Sequence, residues 1–236
     1  MSDDIGGVWR TIGGRRIFIK DGENLSTAMK KSGKFKLAKK GNKEKTSENE
    51  YKKYENFGEE IKELEEDSDK VYQEARKMGT IGSINTYTEE YYMDVNYYLR
   101  NNSFPPDSPN EYKDYVKKIA TDTEKTINKF ELKENITTYK GTSSEYYKDY
   151  KIGDTFEMKE FNSTSINKEV ATNNFKDKQN PYTLEIRVSK GTKAIYLGKN
   201  SANSNEYELL INKGTSYKVI EKNENGMILE VIKNVK

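Results

Sequence analysis

Glu206 and Glu208 stand two residues apart in the segment Asn205-Glu206-Tyr207-Glu208-Leu209-Leu210-Ile211. Tyr207, Leu209 and Ile211 recur at every second position, which predicts a strand with those three on its buried face and both glutamates on the other. Residues i and i+2 of a strand lie roughly 7 Å apart, and carboxylates that close oppose each other's ionisation. A solvated strand edge and a catalytic carboxylate pair both fit this pattern.

Absent residue types narrow the chemistry. The 236 residues include no Cys and no His, which removes disulfides, thiolate nucleophiles, Cys/His zinc sites and His-based triads. Acid–base work near neutral pH then falls to Glu, Asp, Lys or Tyr. An enzyme of this composition is expected to be a carboxylate enzyme.

Two further stretches bear on the pair. In Phe161-Asn162-Ser163-Thr164-Ser165 a strand places Phe161, Ser163 and Ser165 on one face, so two hydroxyls point the same way. Thr137-Thr138-Tyr139-Lys140-Gly141 ends an earlier strand with a cation beside a glycine. Nucleotide loops of the Gly-x4-Gly-Lys-[Ser/Thr] and Gly-x-Gly-x-x-Gly kinds do not occur: Gly198-Lys199 is followed by Asn200, and Lys193 stands where the first glycine belongs.

The elements that must position these residues follow from periodicity. Apolar residues step by threes and fours from 47 to 132: Tyr51, Tyr54, Phe57, Ile61 and Leu64, then Val71, Tyr72, Ala75 and Met78 up to Gly79. Thr88 is expected to cap a Tyr-rich helix through Tyr91, Tyr92, Val95, Tyr98 and Leu99, its tyrosine stripe packed in the core. Pro105, Pro106 and Pro109 break it, and a long helix starts at Ser108-Pro109. After 135 the period falls to two, with strands expected at 136–140, 155–158, 161–165, 182–188, 193–197, 206–211, 217–221 and 227–232, and short helices at 144–150 and 167–176. Helices first and strands afterwards predict an α+β fold, a helical lobe (46–134) packed on a two-sheet mixed β core (135–236).

The chain is polar, 34% charged and 33% hydrophobic, with a mean hydropathy of −1.05. Its 18 tyrosines must fill much of the core with their hydroxyls hydrogen-bonded. No run nears the ~18 apolar residues of a membrane helix, and the acidic start Met1-Ser2-Asp3-Asp4 has no apolar signal region. The expectation is a protein of the bacterial cytoplasm or a virion, with non-classical export open. Residues 1–45 are rich in Lys and Arg and precede an acidic body, although the net charge of the whole is only +2. This arm carries two β segments around Gly13-Gly14, a short basic helix at 25–36 and a linker at 36–50. A nucleic-acid or acidic-partner contact and a solvated tail both suit it.

The order strand–cation, Ser-Thr-Ser, loop, Glu-x-Glu resembles the mono-ADP-ribosyltransferases of the Arg–Ser–Glu class, such as the actin-modifying binary toxins and their phage-encoded relatives. The likeness spans roughly residues 135–234 and includes Phe161 to Ser165, Ile186 to Ala194 and Ser204 to Val219. Gly7 to Ile19 with Met29 to Phe35 resembles a segment of phage minor capsid and head-morphogenesis proteins. The first resemblance implies NAD as substrate, no metal, and an arginine of a target protein as acceptor. It implies Glu208 as the carboxylate under the ribose, Ser163 as its support, and Glu206 as the acceptor's contact. Tyr139, Lys140, Gly141, Thr164, Ser165 and Phe175 would hold NAD, with Phe175 stacked on the nicotinamide, and the loop Gly198–Asn205 would read the acceptor through its mobility. The family carries Arg where this chain has Lys140, and a lysine is a point charge rather than a bidentate fork. That departure keeps open an inactive structural protein of a phage particle, beside NAD hydrolysis with water as acceptor.

Overall fold

The computed structural model describes residues 7–12, 15–20 and 50–232. The chain divides into two compact units, Met1–Ser47 and Glu48–Lys236. In the first, β1 (Gly7–Ile12) and β2 (Arg15–Lys20) pair antiparallel, with Trp9 opposite Phe18. The basic helix expected at 25–36, and all of the 36–50 linker but Glu50, lie outside the described residues.

The second unit begins with helices. In α1 (Lys62–Met78), Leu64, Ser68, Val71, Tyr72 and Ala75 make one buried face. Gly79 ends it at φ 70°, a left-handed conformation that glycine adopts without strain, and the Thr80 amide returns to the Ala75 carbonyl at 2.9 Å. Then come α2 (Ile81–Thr86), a π-helical turn (Tyr87–Tyr91) and α3 (Tyr92–Asn101). Thr88 is therefore no helix cap: it lies inside the π turn, its hydroxyl on the Asn85 carbonyl at 3.0 Å. Pro109, extended at φ −60° and ψ 151°, precedes α4 (Asn110–Ile127).

The eight expected strands of the β core all form: β3 (Ile136–Ser143), β4 (Thr155–Met158), β5 (Asn162–Ser165), β6 (Pro181–Val188), β7 (Ala194–Tyr196), β8 (Glu208–Ile211), β9 (Thr215–Lys222) and β10 (Gly226–Val231). They join in one mixed sheet of order β4-β9-β10-β6-β3-β5-β8-β7. The expected two sheets survive as halves, because β3 and β5 pair only at Tyr139 and Ser165. Both halves fill one core, with Leu184, Ile186, Leu229 and Val219 from the larger and Leu209, Ile211 and Tyr196 from the smaller. The outer face of the small half, through Phe161, Ile195 and Leu210, meets Val71, Ile84, Val95 and Ile119 of the helices.

Residues 50–58 depart from the expected helix. Lys52 bridges to Ile136 in parallel, its amide on the Asn135 carbonyl at 3.0 Å and its carbonyl accepting from Thr137 at 2.8 Å. Tyr51 and Tyr54 reach Glu230 and Glu134 at 3.1 and 2.9 Å. Spacing by threes was met here by an irregular strap along β3.

Candidate active site

All nine residues singled out in the sequence line one cavity of about 720 Å³: Tyr139, Lys140, Gly141, Ser163, Thr164, Ser165, Phe175, Glu206 and Glu208. It lies between the two-half sheet and the helices, and α3 with the π turn supplies the wall that sequence reasoning missed, notably Tyr87, Tyr92, Asn96 and Arg100.

β8 is buried along its whole length because it is the central strand of the small half, covered on both faces. Leu209 and Ile211 enter the inter-sheet core, so alternation turns Glu208 and Leu210 toward the helices. Glu208 is only 8% exposed. Burial pushes its carboxyl up to about 7, the Ser163 hydroxyl beside it pulls the other way, and the Glu206 carboxylate adds to the rise.

The expectation that both glutamates share a strand is corrected. Glu206 belongs to a 3-10 turn (Ser204–Glu206), and Tyr207 takes a left-handed conformation at φ 49° before the strand opens at Glu208. The Tyr207 ring packs on Phe57, centroids 4.6 Å apart. Two hydrogen bonds fasten the turn to the neighbouring strand: the Ser165 hydroxyl donates to the Glu206 carbonyl at 2.6 Å, and the Ile166 amide to that of Tyr207 at 3.1 Å. Glu206 is half-buried and desolvation raises its pKa.

The serines and threonine have unequal tasks. Ser163 faces the cavity, its hydroxyl 3.4 Å from that of Tyr87, which in turn accepts from the Asn96 amide at 3.2 Å. The Thr164 hydroxyl is spent on the Leu209 carbonyl at 2.7 Å, fixing β5 to β8. Tyr87 itself is fully buried, packed edge-on to Phe161 at 5.3 Å. Of the expected core stripe, Val95 is buried and Tyr91, Tyr98 and Leu99 pack against the helical core, whereas Tyr92, 44% exposed, rims the cavity beside Tyr97. A π turn shifts the helical phase, which is why a plain 3.6-residue count missed this wall. Asn96 keeps its Oδ1 buried and without a hydrogen-bond partner.

Lys140 lies where β3 and β5 part. Its ammonium donates to Asn162 Oδ1 at 2.8 Å, and the Asn162 amide donates to the Tyr217 hydroxyl at 3.1 Å. Desolvation pushes Lys140 down to about 8, against the pull of Glu160. At Gly141 a Cβ would stand 2.2 Å from the Ala171 carbonyl oxygen and 2.7 Å from the Lys176 amide nitrogen. Glycine there lets α5 (Lys168–Asn174) lie against β3 and brings Phe175, 47% exposed, to the cavity mouth. Asn167 caps α5 by accepting from Glu169 and Val170 amides at 2.9 and 3.3 Å.

The loop Gly198–Asn205 is clamped in its first half rather than free. The Lys199 amide donates to Glu65 at 3.0 Å, its ammonium pairs with Asp69 at 2.9 Å, and the Asn200 amide reaches Ser68 and Asp69 at 3.1 and 2.9 Å. Only Ala202 to Asn205 is left mostly exposed, beside Glu206.

Among the described residues no helix is long and apolar enough to cross a membrane. The family model for the ADP-ribosyltransferase exoenzyme matches residues 48–235. The NAD(+)–arginine ADP-ribosyltransferase EFV of Enterococcus faecalis is 35% identical over 66% of this chain, and the match spans 31% of that protein's length. The ADP-ribosylating toxin BECa of C. perfringens, solved with NADH, superposes with a TM-score of 0.55 at 19% identity, over 75% of this chain and 49% of that one. An ADP-ribosyltransferase of Clostridium botulinum gives a TM-score of 0.60 at 16% identity, over 78% of this chain and 100% of its own.

Proposed function

The chain belongs to the ADP-ribosyltransferase exoenzyme family, and from that premise we propose that it transfers ADP-ribose from NAD to an arginine side chain of a target protein, releasing nicotinamide. The observation that carries this reading is the meeting of Glu208, Ser163, Glu206 and Lys140 in one cavity of about 720 Å³. That volume suits a dinucleotide-sized ligand.

Cleavage of the nicotinamide–ribose bond sends its electron pair to the ring nitrogen and leaves an oxocarbenium-like ribose, as in glycoside hydrolysis. Glu208 is the anion fixed beneath that charge. A buried carboxylate facing a forming cation gives a large electrostatic gain, because little solvent competes. Its raised pKa is the cost of burial in the free protein; the cationic nicotinamide ring restores the charged form. Ser163 holds Glu208 and the ribose in register, with Tyr87 behind it. Phe175 and Tyr92 cover the aromatic ring at the mouth.

Glu206 pairs with the incoming guanidinium and accepts its proton as the nitrogen bonds to the ribose carbon. The Ser165 bond to the Glu206 carbonyl keeps that carboxylate beside the exposed Ala202–Asn205 segment, the surface assigned to acceptor recognition. Lys140, in place of the Arg of the Arg–Ser–Glu class, binds the diphosphate as a point charge. The basic residues 1–45 are the proposed contact for a nucleic acid or an acidic capsid partner, tested by the salt dependence of DNA retention.

The test is nicotinamide release from NAD. Wild type releases it and labels protein, and Glu208→Gln does neither; an unchanged rate in that variant sinks the assignment. Release without protein label would point to water as the acceptor.

A further inference from the structure

One buried hydroxyl behind the site has no part in the reaction as described so far. Tyr72 of α1 is 3% exposed, and its hydroxyl has no hydrogen-bond partner among the described residues. An unpaired buried hydroxyl costs free energy that a phenylalanine of the same shape would not.

Its place follows from α1. Ser68, one turn earlier on the same buried face, donates to the Leu197 carbonyl at 2.6 Å, and the Leu197 amide donates to the Glu208 carbonyl at 3.0 Å. Tyr72 shares the helical core with Leu197 and with Leu210, which points to the same side of β8 as Glu208. It lines no part of the cavity, so it stands in the layer behind Glu208. The charges that act on it are Glu208 first, then Glu89 of the π turn and Arg76 of α1. Glu89 and Arg76 are exposed, where water and salt screen them; Glu208 is not. Around the Glu208 carboxyl itself stand Ser163, Glu206 and Lys140, with the Ser163 hydroxyl as its side-chain hydrogen bond. A carboxylate has about four acceptor sites. The ionised Glu208 is thus short of donors, and Tyr72 is short of an acceptor.

We propose that Tyr72 is a positioning residue whose hydroxyl donates to the charged Glu208 carboxylate when NAD is bound. The inference rests on the transferase reading. One carboxylate oxygen stays on the tyrosine while the other serves the ribose with Ser163, so α1 fixes the direction in which the charge faces. Tyr72 touches neither NAD nor the acceptor.

Nicotinamide release by the full chain at saturating NAD, followed from about pH 5 to 9, tests this. Glu208 must be charged to act, so the rate rises with pH along an acidic limb. Tyr72→Phe removes one donor to that charge, and the limb should move up by about one to two pH units, the range of a hydrogen bond to a charged group. Below both limbs the rate then falls about ten- to a hundredfold, and above both the two proteins converge. Denaturant unfolding should find Tyr72→Phe at least as stable as wild type, because the free protein loses an unpaired hydroxyl. Limbs that coincide overturn the proposal and leave the transferase reading standing. An equal loss of rate at every pH, together with lower stability, overturns it too, since packing alone would give that result. Wild type that releases no nicotinamide at any pH removes both.

Discussion

Replacing Glu208 by glutamine deletes a charge that the fold must desolvate, and the effect on stability should depend on pH in a defined direction. The carboxyl rises from 4.5 to about 7 on folding, chiefly through burial. Below pH 4.5 it is protonated in both the folded and unfolded chain, so nothing is lost. Between 4.5 and 7 the unfolded chain ionises first, and wild-type stability falls as pH rises. Above 7 the whole penalty is present, about 3 kcal/mol at roughly 1.4 kcal/mol per pH unit. Glutamine keeps the shape and can still accept from Ser163. Denaturant unfolding should therefore find Glu208→Gln more stable by about 3 kcal/mol at pH 8 and by under about 1 kcal/mol at pH 5. For a unit of this size the pH 8 difference is roughly 6–12 °C in Tm. A variant equally stabilised at both pH values, or destabilised at pH 8, would refute the claim that Glu208 is held against its preference in a dry site.

Three further outcomes follow from the site. Lys140 loses its proton near pH 8 in the free protein, so KM for NAD should rise from pH 7 to 9; Lys140→Arg, charged throughout, should hold KM flat, as steady-state kinetics at several pH values will read. Gly141→Ala drives a Cβ into the Ala171 carbonyl and should cost about 1–3 kcal/mol in unfolding experiments, with a weaker NAD affinity as Phe175 is displaced. Glu206→Gln should retain nicotinamide release while protein labelling falls about a hundredfold or more, the range of a lost general base; equal loss of both activities would deny Glu206 its separate role.

Much of this molecule could be read from residue spacing, and the failures have physical causes. Strands such as β6 and β10 show themselves because one face is buried and the other is not, and burial then imposes the period of two. The glutamate pair was legible as a pair but not as a shape: Tyr207 takes a left-handed turn ahead of the strand, and its ring lies on Phe57, a residue 150 positions earlier that no local spacing brings near. Tyr51 to Phe57 follows a helical count yet runs as a strap, because backbone bonds from β3 outweigh local propensity there. Glycine and asparagine in 198–205 suggested mobility, and contacts with Glu65, Ser68 and Asp69 of α1, far off in sequence, remove it from the first half. The helical wall was hidden for a different reason. A tyrosine, asparagine or arginine on an amphipathic helix has no spacing that separates core, solvent and cavity, and the π turn at Tyr87–Tyr91 alters which of them faces the sheet.

The most direct measurement of the central claim is the identity of the modified atom. The protein is incubated with NAD labelled in its adenine half and a mixture of host proteins, and labelled peptides are sequenced by mass spectrometry. ADP-ribose is expected on arginine side chains, absent with Glu208→Gln and sharply reduced with Glu206→Gln. Label on another residue type, or label that persists in Glu208→Gln, would contradict the transferase mechanism.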